Sequence, residues 1–416
     1  MCFGVVCSKV LFRNYLAPFG VLSIVWGASF LWLSVMTFHI APFHTLTWLA
    51  ISLAWFSAML GSVFAVIVFQ IASSNKRHKY NFDLFVRYKK WIIILGILAI
   101  IGSIRFFIVV TGYFGVKEFF AKPLHARTML TTEYSTGKLT LIFWGVTFAA
   151  AVLSGIWLGR KTRSYLLYVP LLAGAVSSIM FVGRSHIFNV VILFTVAFLL
   201  SQKGGIRLRL KSTVKRNIAI LLIALIFFAG PTMFISQYRS KSLEDTWIPQ
   251  VVLRFLDFSQ HWYLLDEVLQ YPSPMNMGVN IFPAFIRSFY YMGLRGDDGR
   301  HLGSGNVSIK MPLGSESNKY TLVADLYLDF GFWGIFFYLF FFVFFSGFFF
   351  CLYKKHDSLV ALSILPFFYQ GIFVSLGGSN FDYASVFGML ISVVVAALIE
   401  KRWRQRCAKG PVVIKE

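Results

Sequence analysis

The sequence predicts an all-α polytopic membrane protein: about ten transmembrane helices and one large, partly helical external loop, in a single membrane domain over 1–416. Three observations carry that class. Hydrophobic residues make up 57% of the 416-residue chain and charged residues only 13%, against roughly 25% charged in soluble domains. Apolar stretches of about 20 residues, the length that crosses a bilayer, recur along the chain. Between them, Lys and Arg gather in alternate loops. This composition excludes an ordinary cytosolic enzyme, a disordered protein and a disulfide-rich secreted scaffold. The formal charge of +22 is no sign of nucleic-acid binding, because so apolar a chain cannot present a broad basic groove.

The expected spans are 15–37, 44–72, 91–113, 139–158, 165–182, 187–200, 217–235, 321–352, 358–376 and 383–399. The N-terminus runs straight into the first span with no cleavable signal peptide. The fifth and sixth spans flank Val182-Gly183-Arg184-Ser185-His186, and the sixth is short. Segments 1–14, 73–90, 159–164, 201–216, 353–357 and 400–416 hold 25 basic residues against four acids (Asp83, Asp357, Glu400 and Glu416). The alternate segments are nearly balanced: 114–138 has four basic and two acidic residues, and 236–320 has eight of each. By the positive-inside rule both termini are cytoplasmic and 236–320 faces outward, as expected for the inner (plasma) membrane of a bacterium. Of the excess, +21 is therefore topological. The basic run at 207–216 reads as a solvated cytoplasmic loop attracted to lipid headgroups.

Cys2, Cys7, Cys351 and Cys407 all fall on or near the cytoplasmic side, which excludes an external disulfide. No Cys-x-x-Cys, His-Glu-x-x-His or Asp-x-Asp pattern is present, so no metal site is expected. The eight histidines are scattered, most of them ordinary interfacial residues.

A chain that only moves a solute keeps short loops and polar groups inside its helices. Here the spans are nearly free of charge while one outer segment carries sixteen charged residues. Within it, 249–270 places Val251, Phe255, Phe258, Trp262, Leu265 and Leu269 at helical spacing, with Arg254, Asp257 and His261 elsewhere on the wheel. That pattern predicts an amphipathic helix on the membrane or on the bundle. A second short helix is expected across Pro283–Leu294, with Arg287 one turn from Tyr290 and Tyr291. Arg287 and Arg295 lie close to Asp297, Asp298 and Arg300. Arg105, fourteen residues into a span that starts inside, sits about 21 Å up, in the outer third of the core. Arg184 occupies a turn on the same side. Asp325 and Asp329, one turn apart, share a face where the eighth span enters from outside. Phe330–Leu352 alone is long enough to span, which would leave both aspartates at the interface.

This layout resembles that of the bacterial O-antigen polymerases (Wzy-type, oligosaccharide repeat unit polymerases). Phe181-Val182-Gly183-Arg184-Ser185 resembles the family's Gly/Ser-Arg turn before a span. Tyr320–Gly334 (YTLVADLYLDFGFWG) resembles the acidic-aromatic entry into the span after the large loop. The O-antigen ligases share the plan. Some polymerases carry Arg-x10-Gly in external loops, whereas no external-loop arginine here has a glycine eleven positions later.

The resemblance implies a membrane glycosyltransferase that joins polyprenyl-diphosphate-linked repeat units into a surface polysaccharide, with donor and acceptor both lipid-linked. A hydroxyl on the acceptor sugar attacks the donor's anomeric carbon and polyprenyl diphosphate leaves. The departing diphosphate needs cations in a low-dielectric site, and arginine supplies paired N–H donors. The candidates are Arg184 and Arg287, then Arg105, Arg239, Arg254 and Arg295. The attacking hydroxyl needs a general base; Asp325, Asp298, Glu316 and His301 are the candidates. No soluble cofactor is implied. Membrane lipid, a chain-length regulator and a flippase stand as partners. Two alternatives remain: a ligase that transfers finished glycan, and a flippase or transporter of lipid-linked oligosaccharide.

Overall fold

The computed structural model describes residues 2–36, 43–72, 88–121, 138–160, 164–180, 185–202, 261–270, 278, 280–282, 309–310, 316–317, 321–376 and 383–408. Nearly all of these are helical. In chain order the helices are α1 (Cys2–Phe12), α2 (Pro18–Met36), α3 (Thr45–Ala72), α4 (Lys89–Phe114), α5 (Val116–Ala121), α6 (Lys138–Gly159), α7 (Val169–Met180, entered by a 3-10 turn at Tyr165–Tyr168) and α8 (Ser185–Ser201). After the helical stretch 261–270 and a two-residue antiparallel pair, β1 (Ile309–Lys310) with β2 (Glu316–Ser317), come α9 (Leu322–His356), α10 (Leu359–Val374) and α11 (Tyr383–Ala408).

Among the described residues, five helices are long and apolar enough to cross a membrane: Thr45–Ala72, Lys89–Tyr113, Ile142–Gly159, Leu322–His356 and Ala384–Arg402. Shorter apolar helices stand at Pro18–Leu31, Tyr165–Ile179, His186–Ser201 and Leu359–Val374, where further spans are expected from the sequence. The expected span 217–235 lies outside the described residues. This is an all-α protein whose long apolar helices embed in a membrane.

The contacts divide the chain into two compact units. The first comprises 1–77, 245–355 and 368–382, and the second 78–244, 356–367 and 383–416. In the first unit, α3 turns a face of small residues inward: Ala50, Ala54, Ser57, Ala58, Gly61, Ser62 and Ala65 are all buried. That face admits the backbone of α9. Ser57 Oγ donates to the Phe336 carbonyl, and a Cβ at Gly61 would collide with the Phe340 carbonyl oxygen. With no hydrophobic drive between helices in lipid, such close small-residue contact is how they associate. The bulk of α9 points the other way, and Trp333, Phe337, Phe341 and Phe345 form an exposed stripe at four-residue spacing.

α9 is broken at Gly331, whose φ of 63° and ψ of −153° lie in a region open almost only to glycine. The break divides a short helix, 322–330, from an uncharged run over 332–352 that is long enough to span by itself. Asp325 and Asp329 therefore stand ahead of that run, on their own short helix.

Two stretches expected as cytoplasmic segments are helical. Residues 2–12 form α1, which stops at Arg13 in the left-handed region (φ 52°) with Lys354 Nζ donating to the Phe12 carbonyl at 2.6 Å. α11 continues through 400–408, and Glu400 in it is buried. Its carboxylate accepts from Ser358 Oγ (3.0 Å) and from the N–H groups of Leu359 (2.5 Å) and Val360 (3.2 Å), so it neutralises the donor-rich start of α10. In the second unit α6 is the hub, packing on α4, α7, α8 and α11. Its Ala149, Ala150 and Ala151 are fully buried, and a Cβ at Gly155 would collide with the Phe194 carbonyl.

Candidate functional site

Among the described residues, the buried carboxylates of the first unit, Asp266, Asp325 and Asp329, stand near the starts of α3 and α9. Three anchors build this end. Thr321 caps α9, its Oγ1 accepting the Ala324 N–H at 3.2 Å. The Leu322 N–H donates to the Ser375 carbonyl (2.7 Å), and Trp26 Nε1 donates to Ser375 Oγ (2.8 Å). His261 Nδ1 lies 2.5 Å from the Leu376 carbonyl, so the 261–270 helix and the start of α9 are moored to consecutive residues.

The 261–270 helix is almost wholly enclosed, with Glu267 and Gln270 as its exposed residues. Trp262, Leu265 and Leu269 are buried as their spacing predicts. Trp262 stacks on Phe30 (4.4 Å between ring centroids) and donates to Ser29 Oγ at 3.0 Å. His261 and Asp266 are buried too, so this helix packs against the bundle. Residues 249–260 of the expected amphipathic helix lie outside the described residues.

Asp266 is the centre of a polar node that joins this helix to the start of α3. Its Oδ1 accepts from Thr47 Oγ1 (2.5 Å) and from the His44 N–H (2.9 Å). Its Oδ2 lies 2.8 Å from His44 Nδ1 and 3.0 Å from Gln270 Nε2. Burial pushes the Asp266 carboxyl up, but the hydrogen bonds from Thr47 and His44 and the nearby imidazole outweigh it and hold the group below the ordinary carboxylate value. The His44 side chain is 59% exposed and that of Asp266 only 11%.

Asp329 is the second node. It accepts the Ile281 N–H at 2.8 Å, and the Asn280 N–H and side-chain amide at 3.1 and 2.9 Å. Fully buried, it fixes the Gly278–Phe282 turn, where Gly278 has φ 87° and Phe282 N–H donates back to the Gly278 carbonyl. Below this turn an aromatic groove of about 540 Å³ runs along α9, lined by Phe282, Phe330, Trp333, Phe337, Phe341 and Phe345 among others. Asp325, a base candidate from the sequence, is buried one turn before Asp329.

The remaining sequence candidates are placed unevenly. Arg105 lies in the second unit, on α4, and its Nη1 donates to Thr140 Oγ1 at 3.3 Å, a neutral partner. Glu316 is placed by its backbone alone, paired with Lys310 in the β1–β2 ladder. Arg184, Arg239, Arg254, Arg287, Arg295, Asp298 and His301 lie outside the described residues. Among the described residues no group of three or more His, Cys, Asp or Glu side chains could hold a metal ion.

His44, Thr47 and Gln270 are additions that sequence reasoning missed. Asp266 and Gln270, four residues apart, carry a weak helical-pair signal, but the partner that gives them meaning is 222 residues away. His186, in the second unit, is buried between the rings of Trp144 and Phe148, with its Nε2 lacking a hydrogen bond. Comparison of the chain with protein-family models, with curated proteins and with solved structures finds no match.

Proposed function

We propose that this protein is a membrane polysaccharide polymerase of the O-antigen type, joining polyprenyl-diphosphate-linked oligosaccharide repeat units by glycosyl transfer at the outer face of the inner membrane. One observation carries the reading. The first unit is an apolar bundle whose described buried carboxylates, Asp266, Asp325 and Asp329, stand where α3 and α9 begin, beside an exposed aromatic groove. Such an end suits a substrate with a hydrocarbon tail and a polar, glycosylated head. The tail stays among the helices while the sugars meet the exposed His44 imidazole, backed by the covered Asp266 carboxylate. The arginines placed by sequence in the outer turns, Arg184 and Arg287 first, supply the cations that a departing diphosphate requires. In this reading ten spans put both termini in the cytoplasm and 236–320 outside.

A deletion strain tests it. Surface glycans reduced to a single repeat support the polymerase. Long polymer stranded on the polyprenyl carrier identifies a ligase, and repeat units accumulating in the inner leaflet identify a flippase. In the complemented strain, Arg184→Ala and Arg287→Ala should each abolish chain extension at normal membrane levels. Full-length polymer from both would remove the diphosphate assignment.

A further inference from the structure

We propose that His44 and Asp266 form a general-base dyad that takes the proton from the acceptor sugar's attacking hydroxyl; this rests on the glycosyl-transfer reading above.

The geometry of the pair is that of a base with its orienting carboxylate. His44 Nδ1 and Asp266 Oδ2 are 2.8 Å apart. Two bare acceptors at that distance repel, so the charged carboxylate favours the proton on Nδ1; the Gln270 amide nitrogen, 2.7 Å from the same Nδ1, then donates to Asp266 Oδ2 at 3.0 Å. In the neutral imidazole Nε2 then carries the lone pair, which is the tautomer a base needs.

Accessibility is divided in the same sense. The imidazole is more than half exposed while the carboxylate behind it is largely covered, so an incoming hydroxyl can reach the first and not the second. A plain structural clamp does not need this histidine ring. Thr47 Oγ1 and the His44 backbone N–H already donate to Asp266 and hold the start of α3 to the 261–270 helix, while Gln270 Nε2 donates to it from within that helix. The surroundings suit a sugar. Phe43 lies 5.7 Å from Trp48 and 4.8 Å from Tyr263 between ring centroids, and Trp48 is exposed. These rings give the apolar face of a pyranose a flat surface beside the base.

The step balances without any further reagent. The acceptor O–H bond breaks and its proton passes to His44 Nε2. The freed oxygen pair attacks the donor's anomeric carbon as the bond from that carbon to the diphosphate oxygen breaks. That bonding pair leaves on polyprenyl diphosphate. Asp266 stays ionised and stabilises the imidazolium until the proton passes to the departing diphosphate or to water.

The test uses the full-length protein in its own membrane. A deletion strain is complemented with wild type, His44→Gly, His44→Gln or Asp266→Asn, matched for membrane level, and surface glycan length is followed with and without imidazole in the medium. His44→Gly should lose chain extension by about 100-fold or more. Added imidazole should restore it in His44→Gly and not in His44→Gln. Asp266→Asn should be as impaired as His44→Gly. Wild-type chain length from His44→Gly overturns the dyad, and so does a loss that imidazole leaves untouched, since that marks a structural role. If the deletion itself leaves chain length unchanged, the polymerase reading fails and the dyad with it.

Discussion

Asp266 and Asp329 are both buried carboxylates met by several donors, yet their partners differ in kind. Asp329 accepts from the backbone and side chain of one short turn, which makes it a fastener for Gly278–Phe282. Asp329→Ala removes the acceptor for two backbone N–H groups in a buried place and should destabilise the protein by about 3 kcal/mol. Thermal unfolding in detergent measures this, and an unchanged midpoint would contradict it. Asp266 instead accepts from two side chains of another element, one of them titratable. Its folded-state pKa lies below the unfolded value of 3.8. Between those values the unfolded chain binds more protons, so stability rises with pH there. The contribution is complete above the unfolded value and disappears as pH falls through the folded one. The stability gap between wild type and Asp266→Asn should therefore be present at pH 5 and collapse as the pH falls below 3.8. A gap that survives undiminished at strongly acid pH would contradict this.

At the scale of the elements, two glycines decide how α9 serves the site. Gly331 holds the break that stands Asp325 and Asp329 ahead of the long run. A side chain at its positive φ is strained by about 1–3 kcal/mol, so Gly331→Ala should lower the unfolding midpoint and impair chain extension together. Gly61 is a point of close backbone approach between α3 and α9. Gly61→Val should cost about 1–3 kcal/mol by overpacking, measured by the same unfolding assay, and a neutral result would contradict the close α3–α9 contact at this glycine. Helical spans are legible in sequence because hydropathy is a local property, and those at 44–72, 91–113 and 139–158 fall within two residues or so of α3, α4 and α6. The break in α9 is not legible that way. Phe330-Gly331-Phe332 sits in an unbroken apolar run, and nothing local says that this glycine, unlike Gly347, turns to positive φ. α1 was hidden for another reason: Lys9 and Arg13 look like loop charges, while Lys354 of a distant helix closes its end.

For the whole molecule, the proposed function makes the charge of +22 an orientation signal and places the chemistry in a small balanced set of residues. Reporter fusions should show position 300 outside and position 210 inside; the reverse would invert the topology and remove the outer-face site. The sequence points to segment 236–320, since it carries sixteen charged residues in balanced signs. Which residues meet is not legible there. His44 and Asp266 are joined only by folding, across 222 positions, and neither has a motif around it. The central claim is that the protein extends a lipid-linked glycan. Its most direct measurement takes lipid-linked repeat units extracted from the deletion strain, incubates them with the purified protein in bilayers, and resolves the products by mass. The account expects a ladder growing by one repeat at a time with release of polyprenyl diphosphate. Substrate recovered unchanged from protein that is folded and inserted would contradict it.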